Sequence, residues 1–530
     1  MKKILLLLTA MLATMATEAK IVKIAMSDGE WKIYSSSQLS EITFDDYGIA
    51  SVVGYDGEVL ATLDPSIDKI TIGDDEEIIS VTENTLSFDL AAVADHFEEG
   101  SDSPADVPMY DRDVVQISFA YPSTDPYGDP ITLSGMMTIP KAVFNKRRIC
   151  EGILLLNHFS YTSLDWSPST GFMFIEPIFL CNPYTPNFIL VEADLYSFGV
   201  SGRFPQAFIQ GHANEHASLD ALLAARRILK SMKIYDGNLT FNIGYSSGGF
   251  EALSTQRCRD MEYADKISFT KTYAGGSPSD MKECYRQLVE RDTVGISSLF
   301  AMILAATNET QHLNIDYTDF FVPEVAEKIE SVILSKKYNL LSIEPMLGAS
   351  RIIHETLTAP YCDLNSEESL KLQDVLETLN LNRDWTPDRS QKILIMNVED
   401  DDIVPISAAK AMADYLKANG MRTSIIPGLG NLETDFSMSG VAHMEGSLPF
   451  FIDVISEITT WSIMYTDGVL NPEWQKLLED NLKEAVDLTD QTVLEGNDQL
   501  NYYMLAPKTR QLTPSEKRKE ELYQWLNINH

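Results

Sequence analysis

The sequence predicts an α/β protein: a mostly parallel sheet with helices on both faces, a helical insertion, a small β module in front and a helical tail behind. Three observations lead there. Between about residues 110 and 280, short apolar runs alternate with stretches of helical periodicity, as successive βα units do. A Gly-x-Ser-x-Gly string, Gly244 to Gly248, stands where one such run meets one such helix. About 110 residues of helical pattern, from 281 to 389, then separate two strand-helix units, so an inserted cap over the C-terminal edge of the strands is expected.

Taken in order, Lys2 and Lys3 form a basic start, Ile4 to Met15 an apolar run, and Thr17-Glu18-Ala19 a small-residue cleavage site. Residues 1–19 therefore read as a signal peptide, and the mature chain is expected in the periplasm or secreted. No other stretch has the roughly 18 consecutive apolar residues that a spanning helix needs, and no cysteine near the cleavage site offers a lipid anchor. Residues 20–100 are rich in β-branched residues and acidic turns, the mark of a small β module. Within it Leu39-Ser40-Glu41-Ile42-Thr43-Phe44 is echoed by Ile67-Asp68-Lys69-Ile70-Thr71-Ile72. Such segments resemble the N-terminal parts of exported Bacteroidetes proteins.

The main domain is expected over 101–462, opening on a linker with Gly100, Pro104 and Pro108. Val114–Tyr121 and Ile131–Ile139 flank a turn-rich segment and read as a hairpin. Gly152–Leu156, Phe188–Glu192, Leu239–Ile243 and Lys392–Val398 read as strands; Leu219–Met232 and Ala408–Asn419 read as helices. Residues 463–530 are polar with helical periodicity, and the charged run Lys517 to Glu521 reads as a solvated helix face.

Composition narrows the function. With 41 basic and 78 acidic side chains, the formal charge of −37 opposes nucleic-acid binding, because phosphate neutralisation needs a basic surface. Hydrophobic residues at 44% exclude general disorder. Five cysteines (Cys150, Cys181, Cys258, Cys284, Cys362) are too sparse for a disulfide scaffold, and their connectivity stays open.

The chemistry centres on Ser246. Strand, tight turn and helix are the setting of a nucleophile elbow, whose glycines let the backbone turn sharply beneath an exposed hydroxyl. A serine hydroxyl needs a base, itself oriented by a carboxylate. Of eight histidines, only His443 and His530 follow the acidic run Glu399-Asp400-Asp401-Asp402, and His530 is the chain's last residue, so His443 is the expected base. The acid lies among Asp400, Asp401 and Asp402, at the end of a strand. That run lacks the alternating spacing of a calcium loop. The oxyanion hole is expected to use the N–H of Ser247 and a second donor from Asn157-His158-Phe159-Ser160. His212 and His216, four apart, are spaced as zinc ligands on one helix face can be. Position 213 is alanine, so a metalloprotease pair is excluded, and no metal or organic cofactor is expected.

These features resemble the α/β-hydrolases, in particular secreted lipases and esterases of the secretory-lipase type. The family's acid loop reads Gly-x-x-Asp-x-x-Val-Pro; Val398 replaces its glycine here, and the acid maps to Asp401. Asp194-Leu195-Tyr196-Ser197-Phe198-Gly199 resembles the family's Asp-Tyr-x-Gly-Phe-Gly loop, and Ala274-Gly275-Gly276-Ser277-Pro278 and Trp385-Thr386-Pro387 also fit. Where relatives often read His-Gly, Phe159 follows His158, so Phe159 is named as the second donor. The resemblance spans about residues 110–460 and implies a serine hydrolase of carboxylic esters. Its substrates would be small-molecule, lipid or glycan esters. A serine peptidase on the same fold and a binding protein with a decayed hydrolase domain are the alternatives.

Overall fold

A computed structural model describes residues 21–470 except 27–30, 36–38, 45–48, 55–56, 64–66, 74–75, 91–108, 148–149, 159–161, 184, 186, 399–400, 422, 428–441 and 467–468. The expected signal peptide, most of the linker and nearly all of the C-terminal extension lie outside the described residues. No described helix is long and apolar enough to cross a membrane.

Two three-stranded antiparallel sheets come first. β1 (Ile21–Met26) lies between β2 (Trp31–Ser35) and β6 (Ile67–Gly73), and β4 (Ala50–Gly54) between β3 (Leu39–Phe44) and β5 (Val59–Leu63). The two echoed segments are β3 and β6, and they serve different sheets. Alternation buries one side of these strands: Val22, Ile24, Ile42 and Val52 share a small core.

The large sheet has nine strands in the order β15-β14-β13-β12-β10-β11-β9-β8-β7. These are β7 (Glu77–Leu86), β8 (Arg112–Thr124), β9 (Pro130–Pro140), β10 (Gly152–Asn157), β11 (Ile189–Ala193), β12 (Leu239–Tyr245), β13 (Lys271–Gly275), β14 (Ile393–Asn397) and β15 (Thr423–Pro427). From β11 to β15 all pairings are parallel, whereas β7, β8 and β9 form an antiparallel edge. β7 falls within the stretch expected to be a separate module, yet it pairs with β8 from Glu77↔Ala120 to Leu86↔Arg112. Its side chains are largely exposed, so its pattern carries no sign of which sheet it joins.

Helices cover both faces, as expected. Ile153 and Leu155 of β10 share a core with Leu222 and Ala225 of α1 (Gly211–Ser231). The intervening Leu154 and Leu156 point the other way, into a core with Phe451 and Ile455 of α8 (Ser447–Met464). α2 (Ser247–Glu262) packs beside α1. α1 begins eight residues earlier than its apolar periodicity predicts because its first turns bury polar side chains. Asn214 there accepts from the N–H of Tyr196 at 3.2 Å and donates to Glu251 at 2.9 Å.

Between β13 and β14 the helical insertion contains α3 (Met281–Arg291), α4 (Ser297–Thr310), α5 (Leu340–Leu347) and α6 (Glu367–Glu377), built on its own buried residues such as Tyr285, Phe321 and Ile343. Tyr285 stacks on Phe300 with ring centroids 5.7 Å apart. α7 (Ile406–Ala418) then leads to β15, a strand that the sequence pattern did not reveal. All five cysteines are free thiols.

One buried ion pair ties sheet to helix. Lys271 of β13 meets Glu457 of α8, with side chains only 2% and 5% exposed. Removing one partner strands the other charge, so Lys271→Met should lower the unfolding free energy by roughly 3–5 kcal/mol. The double change Lys271→Met with Glu457→Leu should recover most of it, as read from urea denaturation midpoints.

Candidate active site

Ser246 sits between the last residue of β12 and the first of α2, at φ 59° and ψ −125°. This is a region that residues with a Cβ rarely occupy. Two hydrogen bonds hold it: its N–H donates to the Gly275 carbonyl at 2.8 Å, and its own carbonyl accepts from Phe250 at 3.1 Å. The flanking glycines answer to close contact. A Cβ on Gly244 would collide with the carbonyl of Gly248, and one on Gly248 with the carbonyl of Asn157.

The structure brings Ser246, His443 and Asp401 together although 197 and 42 residues separate the successive pairs. His443 Nε2 lies 2.8 Å from Ser246 Oγ, and Nδ1 lies 2.7 Å from Asp401 Oδ2. The other oxygen of Asp401 accepts from the N–H groups of Ile403 and Val404 at 2.9 and 2.7 Å. Asp402 faces elsewhere: its carboxylate accepts from the backbone N–H of His443 at 3.4 Å, and partial burial raises its pKa. Glu399 and Asp400 lie outside the described residues.

Sequence reading missed three supporting residues. Tyr245 donates its hydroxyl to the His443 carbonyl at 2.6 Å and packs its ring 5.3 Å from the imidazole. It occupies the variable position of the Gly-x-Ser-x-Gly string, so no motif marks it. Arg291, at the end of α3, donates to the Asp401 carbonyl at 2.8 Å. Lys336 is buried and donates to the carbonyls of Ser197, Gly202 and Phe204; burial pulls its pKa down to about 8. Only tertiary folding joins Arg291 and Lys336 to their partners.

Ser247 is buried at the start of α2. Phe159 lies outside the described residues, but the loop's root is firmly held. Asn157 donates to Asn242 at 2.7 Å and to the Ile243 carbonyl at 3.2 Å, while accepting from Ser218 at 3.0 Å. His158 Nε2 stands 3.2 Å from Glu176, both side chains buried. Asp194, in the stretch singled out by resemblance, is buried and accepts from Ser134 and from the Ser169 N–H. Burial pushes its pKa up.

An apolar cleft opens at Ser246 and His443. Ile296, just before α4, and Leu299, Phe300 and Ile303 on one face of it line the cleft, with Met281, Cys284 and Leu288 from one face of α3. These are the i, i+3, i+4, i+7 spacings of a helix side. None of the described residues lining it is Asp, Glu, Lys or Arg.

The two histidines weighed as a zinc pair part company. His216 Nε2 lies 3.0 Å from Glu262, and His216, Glu215 and Cys258 offer donor atoms within 4.8 Å of one another. His212 is not in that group.

Parallel sheet, flanking helices and a strained serine at a strand-helix junction define the α/β-hydrolase fold, and this chain has that fold. Residues 179–428 match the secretory lipase family. The rice cell wall degrading esterase LipA from Xanthomonas oryzae superposes with a TM-score of 0.58 at 18% identity, over 72% of this chain and 98% of that one. A putative hydrolase from Legionella pneumophila gives 0.59 at 14% identity, over 73% and 98%. No curated protein matches the chain.

Two outcomes are expected. Ser246→Gly should relieve backbone strain and raise the unfolding free energy by about 1 kcal/mol, measured by urea denaturation. Unchanged or lower stability would mean the turn is not strained. Glu251 on α2 is fully buried, accepts from Asn214, and is pushed up to about 8 by burial. Because the folded state holds this proton more tightly, its contribution to stability is complete below the ordinary value of 4.5 and is lost as pH rises towards about 8. Glu251→Gln should flatten the stability–pH curve across that window.

Proposed function

We propose that the chain is an exported serine hydrolase that cleaves carboxylic esters through an acyl-enzyme. The observation that carries this reading is the hydrogen-bonded series Asp401–His443–Ser246 at the mouth of an uncharged, apolar cleft. Ser246 Oγ attacks the ester carbonyl while His443 Nε2 takes its proton. The tetrahedral oxyanion is held by the N–H of Ser247 and by a second donor from the loop after Asn157, for which Phe159 is the candidate. Collapse breaks the bond to the leaving alkoxide, which takes the proton from His443. Water, deprotonated by the same imidazole, then releases the acid. Asp401 fixes the tautomer and stabilises the imidazolium, and its two backbone donors keep it aimed.

The match to secretory lipases supports an ester substrate, as does the esterase description of LipA, whose fold this chain resembles. The cleft supports an aliphatic acyl group, since apolar side chains would leave a polar one without partners. Against the peptidase alternative, an aminopeptidase needs carboxylates to receive a substrate ammonium, and no described residue lining the cleft carries one. Export rests on the family match and on the N-terminal Lys2–Ala19 pattern.

A fluorophosphonate probe should label the wild-type chain and leave Ser246→Ala unlabelled; equal labelling would remove Ser246 as nucleophile. Asp401→Asn should lower turnover by roughly 10⁴-fold, and Asp402→Asn by no more than about tenfold. In a substrate panel, esters of longer aliphatic acids should outpace acetyl esters. Cleavage of peptide amides alone would overturn the ester reading.

A further inference from the structure

On the side of the molecule formed by α1 and α2, a second cluster of reactive side chains takes no part in the chemistry above. α1 supplies Glu215 and His216, and α2 supplies Cys258, one carboxylate, one imidazole and one thiol with donor atoms within 4.8 Å of one another. One turn further along α2, Glu262 reaches His216 Nε2 at 3.0 Å. Arg257, next to Cys258, holds the Glu215 carboxylate at 3.0 Å. Among the described residues no other group of three His, Cys, Asp or Glu donors gathers this closely.

We propose that Glu215, His216 and Cys258 form a zinc-type structural site that staples α1 to α2, with Glu262 able to join as a fourth donor. The donor set selects the metal class. Sulfur and imidazole nitrogen suit a borderline-soft ion such as Zn²⁺, whereas Mg²⁺ and Ca²⁺ require oxygen ligands throughout. Charge fits as well. Two carboxylates and one thiolate, offset by Arg257, sum to −2, which a divalent ion neutralises. Binding transfers the Cys258 thiol proton to solvent and needs His216 neutral at the coordinating nitrogen. Arg257 then backs the Glu215 carboxylate and fixes its direction, the role that outer hydrogen bonds play around metal ligands.

The location makes the role structural. Cys258 lies eleven residues beyond the start of α2, about 16 Å along the helix from Ser247, the residue after Ser246. Metal there cannot touch the acyl group. It can hold together the two helices that support the sheet beneath the nucleophile, and one of them begins at the nucleophile itself.

The test uses the untagged full-length chain, stripped with a chelator and dialysed. Titration with Zn²⁺, followed by calorimetry, should give one equivalent of binding and a thermal midpoint raised by several degrees at saturating metal. Co²⁺ should give a near-ultraviolet thiolate charge-transfer band. Cys258→Ser should abolish that band, and both Cys258→Ser and His216→Ala should weaken Zn²⁺ at least tenfold. His216 is only partly buried, so His216→Ala reads the site even if the buried Cys258→Ser disturbs folding. Fluorophosphonate labelling of Ser246 at 25 °C should be the same with and without metal. Absence of saturable binding to the wild-type chain, or binding and a cobalt band unchanged in both variants, would overturn the proposal.

Discussion

The turn at Ser246 is the constraint on which the rest of the molecule depends. A serine held at positive φ is unfavourable by about 1–3 kcal/mol unless its surroundings leave it no alternative. Here the surroundings are the middle of the sheet. β12 is flanked by β10 and β13 in parallel register, and the Gly275 carbonyl at the end of β13 accepts the Ser246 N–H. The glycines at 244 and 248 bring backbone to backbone at distances that a Cβ would forbid. The Asn157 carbonyl against Gly248 brings the end of β10 over the start of α2. One strained residue thus fixes where three strands must end relative to one another.

The insertion is more than a cover over that junction. Through Arg291 it holds the carbonyl of Asp401, and the N–H of Gly295 reaches the carbonyl of Asp402 at 3.2 Å. Through Lys336 it grips the loop after β11 at three carbonyls. A buried ammonium with three acceptors has its three donors satisfied, which offsets much of the desolvation that lowers its pKa. The cap therefore supplies the wall of the apolar cleft and also braces the acid loop and a core loop. Its integrity and the alignment of the Ser246–His443–Asp401 series are coupled through hydrogen bonds to the backbone carbonyls of the acid loop.

Electrostatics inside the sheet layer follow the same economy. Asp194, Glu192 and Glu251 are buried, and burial pushes each of their pKa values up. Asp194 and Glu251 are partnered by neutral donors (Ser134, the Ser169 N–H, Asn214) rather than by cations. Asp401 differs in meeting an imidazole as well as two N–H groups.

Much of this was legible in the residues themselves. Gly244 to Gly248 marks its own strand-turn-helix geometry, because glycine is required wherever backbones approach this closely. Elimination among eight histidines isolates His443, and the parallel strands announce themselves by apolar runs buried on both faces. Where polar residues are buried or strands lie exposed, the signal fails. The first turns of α1 bury Asn214, β7 is an exposed edge, and β15 carries no distinguishing pattern. Which aspartate faces the imidazole is also beyond local sequence, since adjacent residues in a loop point in different directions. Resemblance pointed to Asp401, and the folded loop aims its Oδ2 at His443 while Asp402 turns to the backbone. The sequence by itself determined the class of fold and the strand-turn-helix setting of Ser246, because periodicity and glycine placement are local properties. Tyr245, Arg291, Lys336, the uncharged cleft and the gathering of Glu215, His216 and Cys258 were decided only by tertiary structure, since each depends on distances between segments that no local pattern encodes.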